Sequence, residues 1–278
     1  MSSPLISVAE LSTALAGQRP PCVLDVRWKL GGPPGREEYA TGHIPSAVYV
    51  DLDTELAGHG EPTDGRHPLP DIVDLESSAR RWGLNNGDAV VVYDDLSGMS
   101  AARAWWLLLH AGLVNVRVLD GGFSAWRAAG EQVSTEHERP QPGTIRLAYG
   151  ALPTLDADGA VRYANDGVLL DARATERFRG DVEPVDPRPG HIPGATSAPT
   201  SENLSAAGTM LDAARLVERF AGLGVTAQTR VGVYCGSGVT AAHEALALVA
   251  AGLPMPALYP GSFSAWANDP TREVVRSR

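Results

Sequence analysis

The residues best equipped for chemistry in this 278-residue chain stand together at Cys235-Gly-Ser-Gly-Val-Thr240. They follow Val231-Gly-Val-Tyr234, which favours a strand, and precede an Ala/Leu-rich segment at helical spacing. Cys235 therefore falls at a strand-to-helix turn. A sulfur at the end of a parallel strand faces the unpaired N–H groups and the positive dipole end of the next helix, and both favour a thiolate nucleophile. A free thiol titrates near pH 8.5, and bringing one to about 6.5 takes about 2.7 kcal/mol. A helix dipole supplies only roughly 0.3–1 kcal/mol, so several loop N–H groups must also point at the sulfur. Gly236, Ser237, Gly238, Val239 and Thr240 can form such an anion-binding nest. The alternative is a buried cysteine that fills space, but that residue needs no permissive glycines at its shoulder.

Composition narrows the partners. Thirty-three acidic against 23 basic residues give a formal net charge of −10, and no Lys/Arg-rich run offsets it. Nucleic acids and anionic membranes are therefore not expected partners. The two cysteines, Cys22 and Cys235, lie far apart in unlike settings, which favours thiols in a reducing cytoplasm over a disulfide. Cys22 heads Cys-Val-Leu-Asp-Val and reads as a packing residue entering a strand. The N-terminus has no basic stretch followed by a long apolar one, and Ser7-Val-Ala-Glu10 reads instead as a helix capping box. No run approaches the roughly 18 apolar residues of a membrane span. Near Cys235 the one further Cys or His at ligand spacing is His243, and two ligands do not make a metal site. No metal or cofactor is expected.

The elements that must position Cys235 alternate along the chain. Strands are expected at 23–26, 89–93 and 116–119, and helices at 71–82 and 101–110, which is the pattern of parallel β/α units. The second half then repeats the first. Leu24-Asp25-Val-Arg27 returns as Leu170-Asp171-Ala-Arg173, and Gly42-His43-Ile-Pro-Ser-Ala47 as Gly190-His191-Ile-Pro-Gly-Ala195. Val90-Val-Val-Tyr-Asp94 returns as Val231-Gly-Val-Tyr-Cys235, and Gly121-Gly-Phe-Ser-Ala-Trp126 as Gly261-Ser-Phe-Ser-Ala-Trp266. Four matches in one order mean two copies of one domain. A polar, proline-bearing stretch at 134–143 places the boundary so that residues 1–140 form the first domain and 141–278 the second. Asp94 stands where the second copy has Cys235, so one copy alone can use a thiol.

These motifs resemble tandem-domain rhodanese-type sulfurtransferases, and the Cys235-Gly-Ser-Gly-Val-Thr240 loop is most similar to that of 3-mercaptopyruvate sulfurtransferases. The resemblance implies an α/β fold with a mainly parallel five-stranded sheet flanked by helices in each domain. It implies that Cys235 takes sulfur from a small donor as a persulfide, releases pyruvate, and passes the sulfur to cyanide or to a thiol such as a thioredoxin-like protein or a small dithiol. Thiosulfate-preferring members carry basic residues just after the cysteine; here Gly236 and Ser237 are uncharged, which favours mercaptopyruvate. Its carboxylate would be met by Arg177 of Arg-Phe-Arg-Gly and Arg188 of Asp-Pro-Arg-Pro-Gly-His, with Ser237 hydrogen-bonding the donor. A first-domain histidine, His43, would enter a serine–histidine–acid relay with Ser237. The loop at 31–38 holds no aspartate, so Glu37 or Glu38 would supply the acid.

His191 shares the Gly-His-Ile-Pro setting of His43, and Asp25 and Asp171 each precede an arginine by two residues; these repeated features read as structural. Three other functions use or suit such a loop. A Cys-x5-Arg phosphatase needs an arginine at position 241, which is Ala241. A thiosulfate:cyanide sulfurtransferase or a non-catalytic persulfide carrier would use the same Cys235.

Overall fold

The computed structural model describes residues 3–277, which fall into two compact units. One comprises the chain up to Ala57, Pro70–Ala151 and Ala206–Met210; the other comprises Gly58–Leu69, Leu152–Ser205 and the chain from Leu211. Each unit therefore draws one short segment from the other half of the sequence.

In the first unit β1 (Leu5–Ile6), β2 (Cys22–Asp25), β3 (Val48–Tyr49), β4 (Val90–Tyr93) and β5 (Val116–Leu119) form a parallel sheet in the order β1-β5-β4-β2-β3. All four β4 side chains are buried, as expected where helices cover both faces of a sheet. The expected helices form at Ile72–Arg81, capped by the Asp71 carboxylate, and at Ala101–His110. The Ser7 capping box is also present: the Glu10 N–H donates to Ser7 Oγ, and the Ser7 N–H to the Glu10 carboxylate.

The second unit repeats this plan with four strands. β6 (Val168–Asp171), β7 (Thr196–Ser197), β8 (Val231–Tyr234) and β9 (Ala257–Leu258) are all parallel, in the order β7-β6-β8-β9. The fifth strand expected from the resemblance is reduced to a single bridge from Thr154 to Leu258. Two prolines account for the loss. Pro256 and Pro260 stand at the positions of Val116 and Asp120, and the Asp120 N–H donates to Ile6 O at 2.9 Å in the first copy. Proline has no N–H to make the equivalent bond to Leu155.

At the C-terminal ends of both sheets the Asp-x-Arg motif closes a buried clip. Asp25 accepts from the Arg27 backbone N–H at 3.0 Å and from its guanidinium at 2.6 Å, while the same guanidinium donates to Gly42 O at 2.7 Å. Tyr93 Oη donates to Asp25 at 2.6 Å and accepts the Ile44 N–H at 3.1 Å. The second copy reproduces these contacts with Asp171, Arg173, Gly190, Tyr234 and Ile192. Each clip ties a strand end to the Gly-His-Ile-Pro turn, so both aspartates have the structural role expected of them.

Gly58–Leu69 is pinned to the second unit by its own backbone. The Gly58 N–H donates to Pro68 O at 3.0 Å and closes the segment on itself, and the Arg66 N–H donates to Ser264 Oγ at 3.0 Å and joins it to the rest of the unit. Gly65 has φ +92° and lies so close to Gly261 that an added Cβ would stand 2.6 Å from its carbonyl oxygen. A side chain there would be strained twice over. Removing Asp25 leaves the buried Arg27 guanidinium without its carboxylate, so Asp25→Ala should destabilise the fold by about 3–5 kcal/mol. Urea unfolding checks this, and a loss under about 1 kcal/mol would refute the role given to the clip.

Candidate active site

β8 delivers Cys235 to a turn in which the expected nest exists. The backbone N–H groups of Ser237 and Gly238 point at Cys235 Sγ from 3.4 and 3.1 Å. Gly238 has φ +81°, a conformation that turns its amide toward the sulfur at little cost. Val239 is buried and precedes the helix Thr240–Ala250, whose first turn lies under the loop. A second segment clamps the loop from outside: Ser262 Oγ accepts the Cys235 N–H at 3.2 Å, and the Phe263 and Ser264 N–H groups donate to Cys235 O and Gly236 O at 2.9 Å each. Cys235 is 2% exposed, so its reactions need a small or slender partner.

The first copy shows what this turn is built to hold. At the position of Cys235, both carboxylate oxygens of Asp94 are filled by N–H groups, from Leu96 and Gly98 at 2.8 Å, Ser100 at 2.7 Å and Ala101 at 2.9 Å. Burial pushes the Asp94 carboxyl up, and these four donors oppose the shift. The turn gathers inward-pointing N–H groups in both copies. In one it is plugged by its own carboxylate, and in the other it presents a sulfur.

Ser237 Oγ lies 2.7 Å from Nδ1 of His67, a residue that no motif singled out. His43, of which a relay was expected, has its Nδ1 turned to main chain instead. His43 is fully buried, its Nδ1 faces Tyr39 O at 2.9 Å, and its ring stacks on Tyr39 at 3.8 Å. His191 makes the same pair of contacts with Phe178, at 2.8 and 3.7 Å, so the two histidines share one turn-packing role. Glu37 and Glu38 stand in the first turn of the helix Gly35–Thr41.

The two expected arginines separate as well. Arg188 is spent on main chain: its guanidinium donates to the carbonyls of Ala267, Arg272, Trp266 and Asp269 at 2.6–2.8 Å. It fastens the end of the helix Ser262–Asn268 and has no fork left for a donor carboxylate, which corrects the expectation placed on it. Arg177 does reach the loop. A Cβ on Gly236 would lie 3.5 Å from Arg177 Nη1 and 2.9 Å from Nη2 of Arg66, the residue before His67. Arg177 Nη2 donates to Glu183 at 2.7 Å and to Asp186 at 3.1 Å, and Asp186 also pairs with Arg66 Nη1. Burial raises the Asp186 carboxyl against the pull of Arg66. Glu183 is buried too, but the Asp186 N–H and Arg177 outweigh this and hold it below the ordinary range. Among the described residues no group of three or more His, Cys, Asp or Glu side chains is placed to hold a metal ion.

A parallel α/β unit in two copies, with a nested cysteine at the end of a central strand in one copy alone, is the arrangement of a tandem rhodanese-type protein. The Rhodanese-like domain family matches residues 7–129 and 156–269, and the chain belongs to that family. It is 46% identical over 277 residues to SseB of Mycobacterium tuberculosis, provisionally named a thiosulfate sulfurtransferase, a match covering 98% of this chain and 96% of that one. It is 43% identical over 284 residues to a Pseudomonas aeruginosa protein provisionally named a 3-mercaptopyruvate sulfurtransferase, with 99% of each covered. The crystal structure of SseA from Escherichia coli, described with the mechanism of 3-mercaptopyruvate sulfurtransferases, superposes with a TM-score of 0.83 at 29% identity, covering 94% of this chain and 99% of that one.

Because Arg188 spends its donors on four carbonyls, Arg188→Ala should cost about 2–3 kcal/mol of stability while leaving the KM for any anionic donor within about two-fold. Thermal unfolding together with steady-state kinetics checks the split.

Proposed function

We propose that the chain is a sulfurtransferase that moves sulfur from 3-mercaptopyruvate to a thiol or cyanide through a persulfide on Cys235. The observation that carries this reading is the pair of N–H groups aimed at Cys235 Sγ. The Cys235 thiolate attacks the donor sulfur, an S–S bond forms and the donor C–S bond breaks. The electron pair leaves as the enolate of pyruvate, which takes up one proton at carbon. Loop N–H groups that held the thiolate then hold the persulfide. Ser237, Gly236, Gly238, Val239 and Thr240 frame the donor, and Arg177 meets its carboxylate.

Ser237 and His67 supply proton traffic in this reading. A hydroxyl 2.7 Å from an imidazole nitrogen can polarise the donor carbonyl and return a proton to the enolate. In the second half-reaction an acceptor thiolate attacks the outer sulfur and restores Cys235. The acceptor is a small dithiol or a protein of thioredoxin type, since a sulfur with 2% exposure admits a thin, extended nucleophile. No helix among the described residues is long and apolar enough to cross a membrane. A reducing cytoplasm, where both cysteines stay thiols, belongs to the same reading.

Brief exposure of the purified protein to 3-mercaptopyruvate should add one sulfur atom to its intact mass and release one equivalent of pyruvate, and Cys235→Ser should abolish both. Loading that survives Cys235→Ser would overturn the mechanism. Loading without turnover when thiols are supplied would point to the carrier function. With mercaptopyruvate, His67→Gln and Ser237→Ala should each lower kcat by about 10²-fold, and the double substitution should cost little more than either alone.

A further inference from the structure

The loop after Cys235 is uncharged in sequence but not in space. A side chain on Gly236 would run into Arg66 Nη2 at 2.9 Å and reach Arg177 Nη1 at 3.5 Å, so two guanidinium groups occupy the volume that a basic residue at position 236 would fill. Their disposition is enforced from behind. Asp186 accepts from Arg66 Nη1 with one oxygen and from Arg177 Nη2 with the other, and Glu183 takes the remaining edge of Arg177. Like-charged guanidiniums are thereby held side by side. Both carboxylates are sealed, with side chains 1–2% exposed, whereas Arg66 and Arg177 are 27% and 19% exposed. The acids hold the pair from the rear, and Arg66 Nη2 and Arg177 Nη1 are the nitrogens left facing Gly236.

The hydrogen-bond accounts of the three arginines rank them as receptors. Arg188 is fully committed to carbonyls. Arg177 gives its Nε and Nη2 to carboxylates and keeps Nη1 toward Gly236. Arg66 gives Nη1 to Asp186, and its Nη2 donates to no acceptor among the described residues while pointing at Gly236. Arg66 also borders an open cavity of about 350 Å³ with His59, Glu61 and Asn268.

We propose that Arg66 is a donor-binding, specificity-determining residue: with Arg177 it forms a two-guanidinium receptor at Gly236 that admits a dianionic sulfane donor, thiosulfate, beside the monoanionic mercaptopyruvate. This rests on the sulfur-transfer reading of Cys235. The Cys235 thiolate attacks the outer sulfur of thiosulfate, the new S–S bond forms as the S–SO₃ bond breaks, and sulfite leaves with the electron pair and two negative charges. No proton is needed. A dianion uses both cations, whereas a single carboxylate is still met by Arg177 when Arg66 is removed.

The decisive comparison sets the two donors against Arg66→Ala. Arg66→Ala should lower kcat/KM for thiosulfate by about ten- to hundred-fold and for mercaptopyruvate by less than about three-fold. Adding Gly236→Lys to Arg66→Ala should restore much of the thiosulfate activity by putting a cation in the vacated volume. Calorimetric binding of thiosulfate to Cys235→Ser, which cannot react, should weaken at least about ten-fold when Arg66→Ala is added. Equal losses for both donors without rescue, or unchanged binding, would overturn the role of Arg66. Arg66-dependent thiosulfate binding with no sulfur loading from either donor would leave the receptor standing and remove the sulfur-transfer reading.

Discussion

The Asp–Arg clip is the interaction on which the rest depends. In each copy a carboxylate at the end of a strand grips the arginine two residues on, and that arginine reaches across to the Gly-His-Ile-Pro turn. Such a pair repays its desolvation only when all its hydrogen bonds are made, and here the backbone N–H, the turn carbonyl and a tyrosine hydroxyl complete the set. In the second copy the chain of contacts extends further. Arg173 Nη1 lies 3.4 Å from Glu183, Glu183 holds Arg177, and Asp186 joins Arg177 to Arg66. One buried ion pair thus anchors a row of alternating charges that ends at Gly236.

The two copies show how one backbone device can be spent in two ways. A turn with several inward N–H groups must hold an acceptor, because buried donors left unpaired cost free energy. In the first copy Asp94 supplies that acceptor internally and locks the loop shut. In the second the acceptor is the Cys235 sulfur, which takes two N–H groups at 3.1 and 3.4 Å. Duplication gave a scaffold in which one nest is structural and the other is available for chemistry.

Departures from the repeat bring further side chains to the loop. The offset between matching landmarks is 148 at His43 and His191 but 141 at Asp94 and Cys235, so the first copy holds about seven extra residues between them. The segment Gly58–Leu69 lies in that interval and brings Arg66 and His67 into the second unit. That drift was a readable signal: residues that break an internal repeat are not needed for the shared fold.

The sequence by itself determined the parallel β/α architecture, the duplication, the strand-to-helix turn at Cys235 and the structural part played by Asp25 and Asp171. All of these rest on hydrophobic period, glycine placement and backbone direction, which act over a few residues. Tertiary structure decided which side chains meet the loop. Arg66 reaches Asp186 across 120 residues of chain and His67 reaches Ser237 across 170, while Arg188, which matched a motif, is consumed by carbonyls nearby in space, and His43 sets its Nδ1 against Tyr39 O. A motif records that a guanidinium or an imidazole is present. What it has left to offer depends on every acceptor the fold brings to it, and no local pattern contains that count.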